Sequence, residues 1–169
     1  MPPDTRLDDR DPDRLNTYER DLLRHVRRFG WQSTHVGADP DTGTPAFTYS
    51  IGFWASQGQP EVLVFDFPAG LAHDVMGTIH RRRAAGDTLP TGRPIPGILS
   101  GEEVCLLPVD PDQAEAHLRS CHWFYREAAF PALQLVWPDP AGRFPWEDGF
   151  DSRLAARQRD LTATGWPGG

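Results

Sequence analysis

Three side chains in this sequence are of the kind that move protons on an organic substrate: the phenol Tyr49, the imidazole His73 and the carboxylate Asp139. The last ends the densest run of unusual chemistry, Gln134-Leu135-Val136-Trp137-Pro138-Asp139, followed closely by Phe144-Pro145-Trp146-Glu147 and preceded by Cys121-His122-Trp123-Phe124-Tyr125. Tryptophan and tyrosine join a large apolar body to one polar handle, which suits a ligand wall as well as a core. Gln134, Trp137, Trp146 and Trp123 are therefore the candidate ligand-binding set. Alternation along the strand puts Gln134 between Ala132 and Val136, as an amide that either satisfies nearby backbone or orients a ligand.

Other combinations carry less chemistry. His73 and His80 share a helix face pointing away from the Leu71, Val75, Ile79 stripe, as expected of an exposed pair. His117 and Cys121, at i and i+4, would both reach one metal ion, but no third ligand accompanies them and no metal site is assigned. His35 shares a strand face with Trp31 and Ser33 and is weak evidence for a general base. G-x-S-x-G, Walker, dinucleotide, H-E-x-x-H and paired C-x-x-C signatures are absent, which removes several enzyme classes.

Composition narrows the field further. A formal charge of −7 opposes binding to a phosphate backbone, so no nucleic acid is expected. All 17 basic residues are Arg, and the run Arg81-Arg82-Arg83 reads as a solvated helix end. The apolar runs are too short to span a bilayer and the first residues carry no export signal, so a cytoplasmic location without membrane contact is expected. Cys105 and Cys121 then read as free, packed thiols in a monomer or small homo-oligomer.

These residues must be held by a scaffold, and the hydrophobic pattern describes one. A tail over residues 1–10 precedes a single domain over 11–162, with a frayed end over 163–169. Asp11-Pro12 opens a helix carrying Leu15, Tyr18, Leu22, Val26 and Phe29 and closed at Gly30. Strands follow from Trp31 to Val36 and from Ala46 to Trp54 as a hairpin, then Glu61 to Phe67 as a central strand apolar on both faces. A helix from Ala69 to Ala85 precedes a loop that would serve as a lid, and a hairpin turning at Ser100-Gly101. A helix capped by Asp110, with Ala114, Leu118, Cys121 and Tyr125 inward, a strand from Phe130 to Trp137 and a last helix near Ser152 to Leu161 complete the chain. The fold class is α+β, a mainly antiparallel sheet, sandwich or split-barrel-like, with helices packed on one face.

The motifs Phe29-Gly30-Trp31, Phe47-Thr48-Tyr49-Ser50-Ile51-Gly52-Phe53, Pro60-Glu61 and Trp123-Phe124-Tyr125, and above all Pro131 to Asp139 with Gly142-Arg143-Phe144-Pro145-Trp146, carry a resemblance. Over roughly Leu22 to Phe150 the sequence resembles the uncharacterised bacterial domain-of-unknown-function family 4262, although Gln32 stands where the resemblance leads one to expect histidine. It implies a compact bacterial domain and no catalytic residues. Three functions stay open: a small-molecule site where the late aromatics meet Tyr49, a non-catalytic protein-interaction module, and a flavin-binding split barrel; otherwise no cofactor is expected.

Overall fold

The computed structural model describes residues 10–168. Apart from Arg10, the expected N-terminal tail lies outside them. Six strands form one sheet: β1 (Gln32–Val36), β2 (Phe47–Ile51), β3 (Glu61–Phe65), β4 (Pro94–Leu99), β5 (Glu102–Pro108) and β6 (Ala132–Val136). Their spatial order is β1-β2-β3-β6-β5-β4. Every neighbouring pair is antiparallel except β3 and β6, which run parallel with Leu63 opposite Gln134. With β1 and β4 at opposite edges the sheet is open, so the α+β class holds and the barrel variant does not.

Helices cover both faces rather than the expected one. On one side α1 (Thr17–Phe29), α4 (Pro111–His117) and α5 (Arg119–Phe124) pack Leu22, Val26, Leu118, Cys121 and Phe124 onto Phe47, Tyr49, Ile51, Leu63 and Phe65. On the other, α3 (Ala69–Ala84) sets Val75, Met76 and Ile79 against Val62, Val64, Leu106, Leu133 and Leu135. The alternation of each strand explains this division, because successive side chains leave the sheet on opposite faces and both sets are apolar.

Local signals account for most element boundaries. The Asp11-Pro12 cap starts only a 3-10 turn, Pro12–Arg14, and α1 begins later at Asn16. Asn16 accepts from Glu19 N while Glu19 accepts from Asn16 N, a reciprocal pair that satisfies two orphan amides and outcompetes the upstream cap. Gly30 ends α1 in the left-handed region. The second expected strand stops at Ile51, and α2 (Phe53–Gln57) takes its last residues. The proposed lid is in part the edge strand β4, whose Pro94 pairs with Cys105, while Gly92 N donates to Leu106 O. The last helix is a 3-10 segment, Ser152–Arg157. Beyond it Trp166 lies 5.7 Å from Trp146, so the end expected to fray packs back on the domain. Cys105 and Cys121 are free and buried, and burial pushes the Cys105 thiol up to about 11 and that of Cys121 well above its ordinary value. No helix among the described residues is long and apolar enough to cross a membrane.

Candidate functional site

The late aromatic motifs do not assemble into one pocket. Gln134 is fully buried on the α4–α5 face, where its amide donates to Arg159 O at 2.5 Å and accepts from Leu161 N at 3.0 Å. Both ends of the side chain are thus committed to backbone, and what they hold is the C-terminal segment. Trp137 points to the opposite face, donates Nε1–H to Phe65 O at 3.0 Å and packs with the α3 side of the core. Trp146 stacks on Phe144 at 5.0 Å beside Cys105, Leu107 and Val136. Trp123 sits under the guanidinium of Arg10, 4.2 Å from its ring centroid. The four candidates therefore occupy separate places, because strand alternation sends Gln134 and Trp137 to opposite faces.

The proton-moving candidates are equally dispersed. Asp139 accepts from Ala141 N, Arg143 N and Asp151 N and from the Arg143 side chain, so its carboxylate organises the loop after β6. Burial works against its charge, yet these donors outweigh it and hold the carboxyl below the usual range. His73 is on the α3 side, bonded through Nδ1 to Ser33 Oγ at 2.8 Å and stacked on Trp31 at 4.8 Å. His80 stacks on Trp31 and Phe53, so the two histidines flank a tryptophan, with His73 exposed as expected and His80 partly buried. Gly77 lies between them, where a side chain would stand 3.2 Å from the Arg81 guanidinium and in ordinary contact with Trp31. His35 bonds Thr48 Oγ1 at 2.8 Å, on the polar side of its hairpin partner. Cys121 donates to Ser50 O in the core, which removes it from His117. The arginine run is only partly solvated: Arg82 bonds Asp87 and Pro96 O, and Arg83 bonds Pro60 O.

Tyr49 is the exception. Where α1 and the α4–α5 junction fail to meet above β1 and β2, a groove of about 540 Å³ remains, and Tyr49 lines it. Its floor is sheet: Thr34, Val36, Phe47 and Tyr49. Tyr18 of α1 forms one wall, His117, Arg119 and Ser120 the other, and Asp39 and Thr44 of the β1–β2 loop close one end. Tyr49 Oη accepts from Ser120 N at 3.0 Å, and burial pushes the phenol up to about 12, so it keeps its proton near neutrality. His117 Nδ1 donates to Gln113 O at 2.8 Å, which turns Nε2 toward the groove as the ring's other hydrogen-bonding position. Its ring meets Phe47 edge-on at 5.5 Å. A groove with an aromatic floor, several hydroxyls, one imidazole and one guanidinium can hold a small molecule with an apolar body and a polar end.

Sequence reasoning placed Tyr49 on the correct face but missed Ser120 and Thr34. No local pattern marks them, since their importance comes from Tyr18 bridging elements distant in the chain: Tyr18 Oη lies 2.9 Å from Thr34 Oγ1 and 3.0 Å from Ser120 Oγ. It also missed Glu61. This carboxyl is fully buried at the start of α2, where Gly52 N donates to Oε2 and Trp54 N to Oε1, each at 3.1 Å. Gly52 has φ 112° and a side chain there would stand 2.6 Å from Gly30 O, so only glycine permits the turn that presents these amides. Burial raises Glu61 to about 8 against the opposing pull of the amides and Arg83. The acidic residue opening an apolar strand was the visible signal, and its purpose is to satisfy the helix start.

A family model described as "Domain of unknown function (DUF4262)" matches residues 25–151. No curated protein and no solved structure matches the chain.

Proposed function

From the premise that the chain belongs to the domain-of-unknown-function family 4262, whose description assigns no activity, we propose that the protein binds a small organic molecule in the groove between the β1–β2 hairpin and the α4–α5 junction. The observation that carries this reading is the convergence of Tyr18, Tyr49, His117 and Ser120 on one concave space floored by Phe47. Such a mixture of one apolar surface and a few oriented polar groups is what small-molecule sites use for affinity and orientation. The elements that supply the groups are rigid: Tyr49 and Thr34 come from paired strands, and His117 is tied to its own helix. Binding is favoured over turnover, since the Tyr49 phenol holds its proton and the other two proton-moving candidates, His73 and Asp139, lie elsewhere.

A protein-observed NMR screen of a chemically diverse fragment library tests the reading. Saturable shifts should collect on the amides of Thr34, Phe47, His117 and Ser120. Ala116, an exposed residue of α4 on the groove wall, provides the control: Ala116→Trp should fill the space and abolish those shifts while leaving Tm within a few degrees. Responses confined to the Trp146–Trp166 surface, or unaffected by A116W, would overturn it.

A further inference from the structure

Three hydroxyls run in series across the groove. Thr34 Oγ1 and Tyr18 Oη are 2.9 Å apart, and Tyr18 Oη lies 3.0 Å from Ser120 Oγ. Each oxygen brings one proton, and the two links consume two of the three whichever way the chain is polarised. Tyr18 donates to Ser120 Oγ, so Thr34 donates to Tyr18 and the proton left over from the series is that of Ser120. Tyr49 extends the series by one more hydroxyl. Its oxygen accepts from Ser120 N and also shares a hydrogen bond with the Ser120 hydroxyl, so one of these two side chains keeps a proton turned to the groove. Arg119, exposed on the same wall, adds guanidinium N–H groups. The one surplus hydroxyl proton facing the groove beside a guanidinium calls for an acceptor on the ligand, and the strongest small acceptor is an oxyanion, which an arginine pairs with directly.

Resting on the groove proposed above, we infer that its ligand is a small monocarboxylate, with the carboxylate held by Ser120, Tyr49 and Arg119 and an apolar body laid on Phe47 and Val36. The charges around the space define the class further. Asp39 lines the same groove with its carboxylate engaged by Asp41 N, so a second acid on the ligand would meet like charge there. With Nδ1 donating to Gln113 O, Nε2 of the His117 imidazole is the ring's acceptor position and suits a hydroxyl on the ligand body. Compounds with one carboxylate and one apolar face satisfy the groove's donors and its apolar floor, and a hydroxyl on the body would satisfy His117 as well.

The test titrates the full chain with benzoate, benzyl alcohol and benzylamine, which share a ring and differ in the polar end, and follows the groove amides by NMR. Benzoate should bind at least tenfold more tightly than benzyl alcohol, and benzylamine should leave the groove amides unmoved. Ser120→Ala keeps the backbone amide that serves Tyr49 and removes only the hydroxyl, so the fold should persist while benzoate affinity falls about tenfold; Arg119→Gln should weaken benzoate and leave benzyl alcohol unchanged. Benzyl alcohol or benzylamine matching benzoate at these amides, or benzoate binding equally to S120A and R119Q, would overturn the carboxylate assignment while sparing the groove. No response of the groove amides to any of the three would overturn both readings.

Discussion

Glu61→Gln offers a measurement in which the sign and the size of the effect follow from one buried group. The carboxyl of Glu61 titrates near 4.5 in an ordinary setting and is raised to about 8 in the fold, burial being the leading cause. A group raised on folding stabilises the native state fully below its unfolded pKa, and that contribution is lost as pH rises through the folded value. Each unit of difference corresponds to about 1.4 kcal/mol, so across the span from 4.5 to 8 the wild type should lose roughly 5 kcal/mol relative to a variant with nothing to titrate. Glutamine supplies one acceptor oxygen where Gly52 N and Trp54 N require two, so E61Q starts with a fixed penalty of roughly 1–3 kcal/mol at low pH. The signature is therefore the change in the difference between the two proteins and not its offset. Urea unfolding at pH 5, 6, 7 and 8 reads it, since a few kcal/mol moves the midpoint by on the order of 2 M. E61Q should begin below the wild type and overtake it before pH 8. Parallel stability curves across this range would refute the argument and mean that the amides and Arg83 keep the carboxylate charged in the fold.

The remaining expectations concern the late motifs and the thiols. Gln134→Leu should cost roughly 1–3 kcal/mol in denaturant unfolding, because Leu161 N loses its buried acceptor, and should speed hydrogen exchange at that amide; an unchanged midpoint would contradict the pinning role. Trp137→Ala should cost roughly 3–5 kcal/mol and leave the NMR shifts of Thr34 and Ser120 in place, since Trp137 completes the α3 side of the core. Asp139→Asn should lower Tm at neutral pH, and the gap to the wild type should close as the solution is acidified. A carboxyl depressed on folding stabilises above its unfolded pKa and loses that contribution as pH falls through the folded value, so a gap that widens in acid would show the opposite sign. Dithiothreitol should leave Tm unchanged, because Cys105 and Cys121 are free; a clear fall would show them bridged.

Much of the scaffold was legible in the residues, wherever the determinant is local. The turn at Ser100-Gly101, the glycine closing α1, the cap at Asp110 and the inward stripe Ala114, Leu118, Cys121 and Tyr125 all depend on residues within a few positions of one another. Alternation likewise assigned Phe47, Tyr49 and Ile51 to one face of β2 and Leu133, Leu135 and Trp137 to one face of β6. Local competition already blurred the start of α1, where two capping sequences stand close together and the reciprocal Asn16–Glu19 pair prevails.

Tertiary structure decided what lies beyond reach of those patterns. The parallel pairing of β3 with β6 joins segments separated by α3, a hairpin and two helices, and nothing in either strand names its neighbour. Gln134 could serve a ligand or a backbone until the C-terminal segment was placed across it, and that placement assigned its amide to Arg159 and Leu161. The groove exists because α1 and the α4–α5 junction leave part of β1 and β2 uncovered, and its character comes from Tyr18 reaching Thr34 and Ser120 at the same time. The physical reason is one of range: propensity, capping and alternation act between near neighbours, whereas a site is a meeting of side chains whose separation in space is set by how whole elements pack.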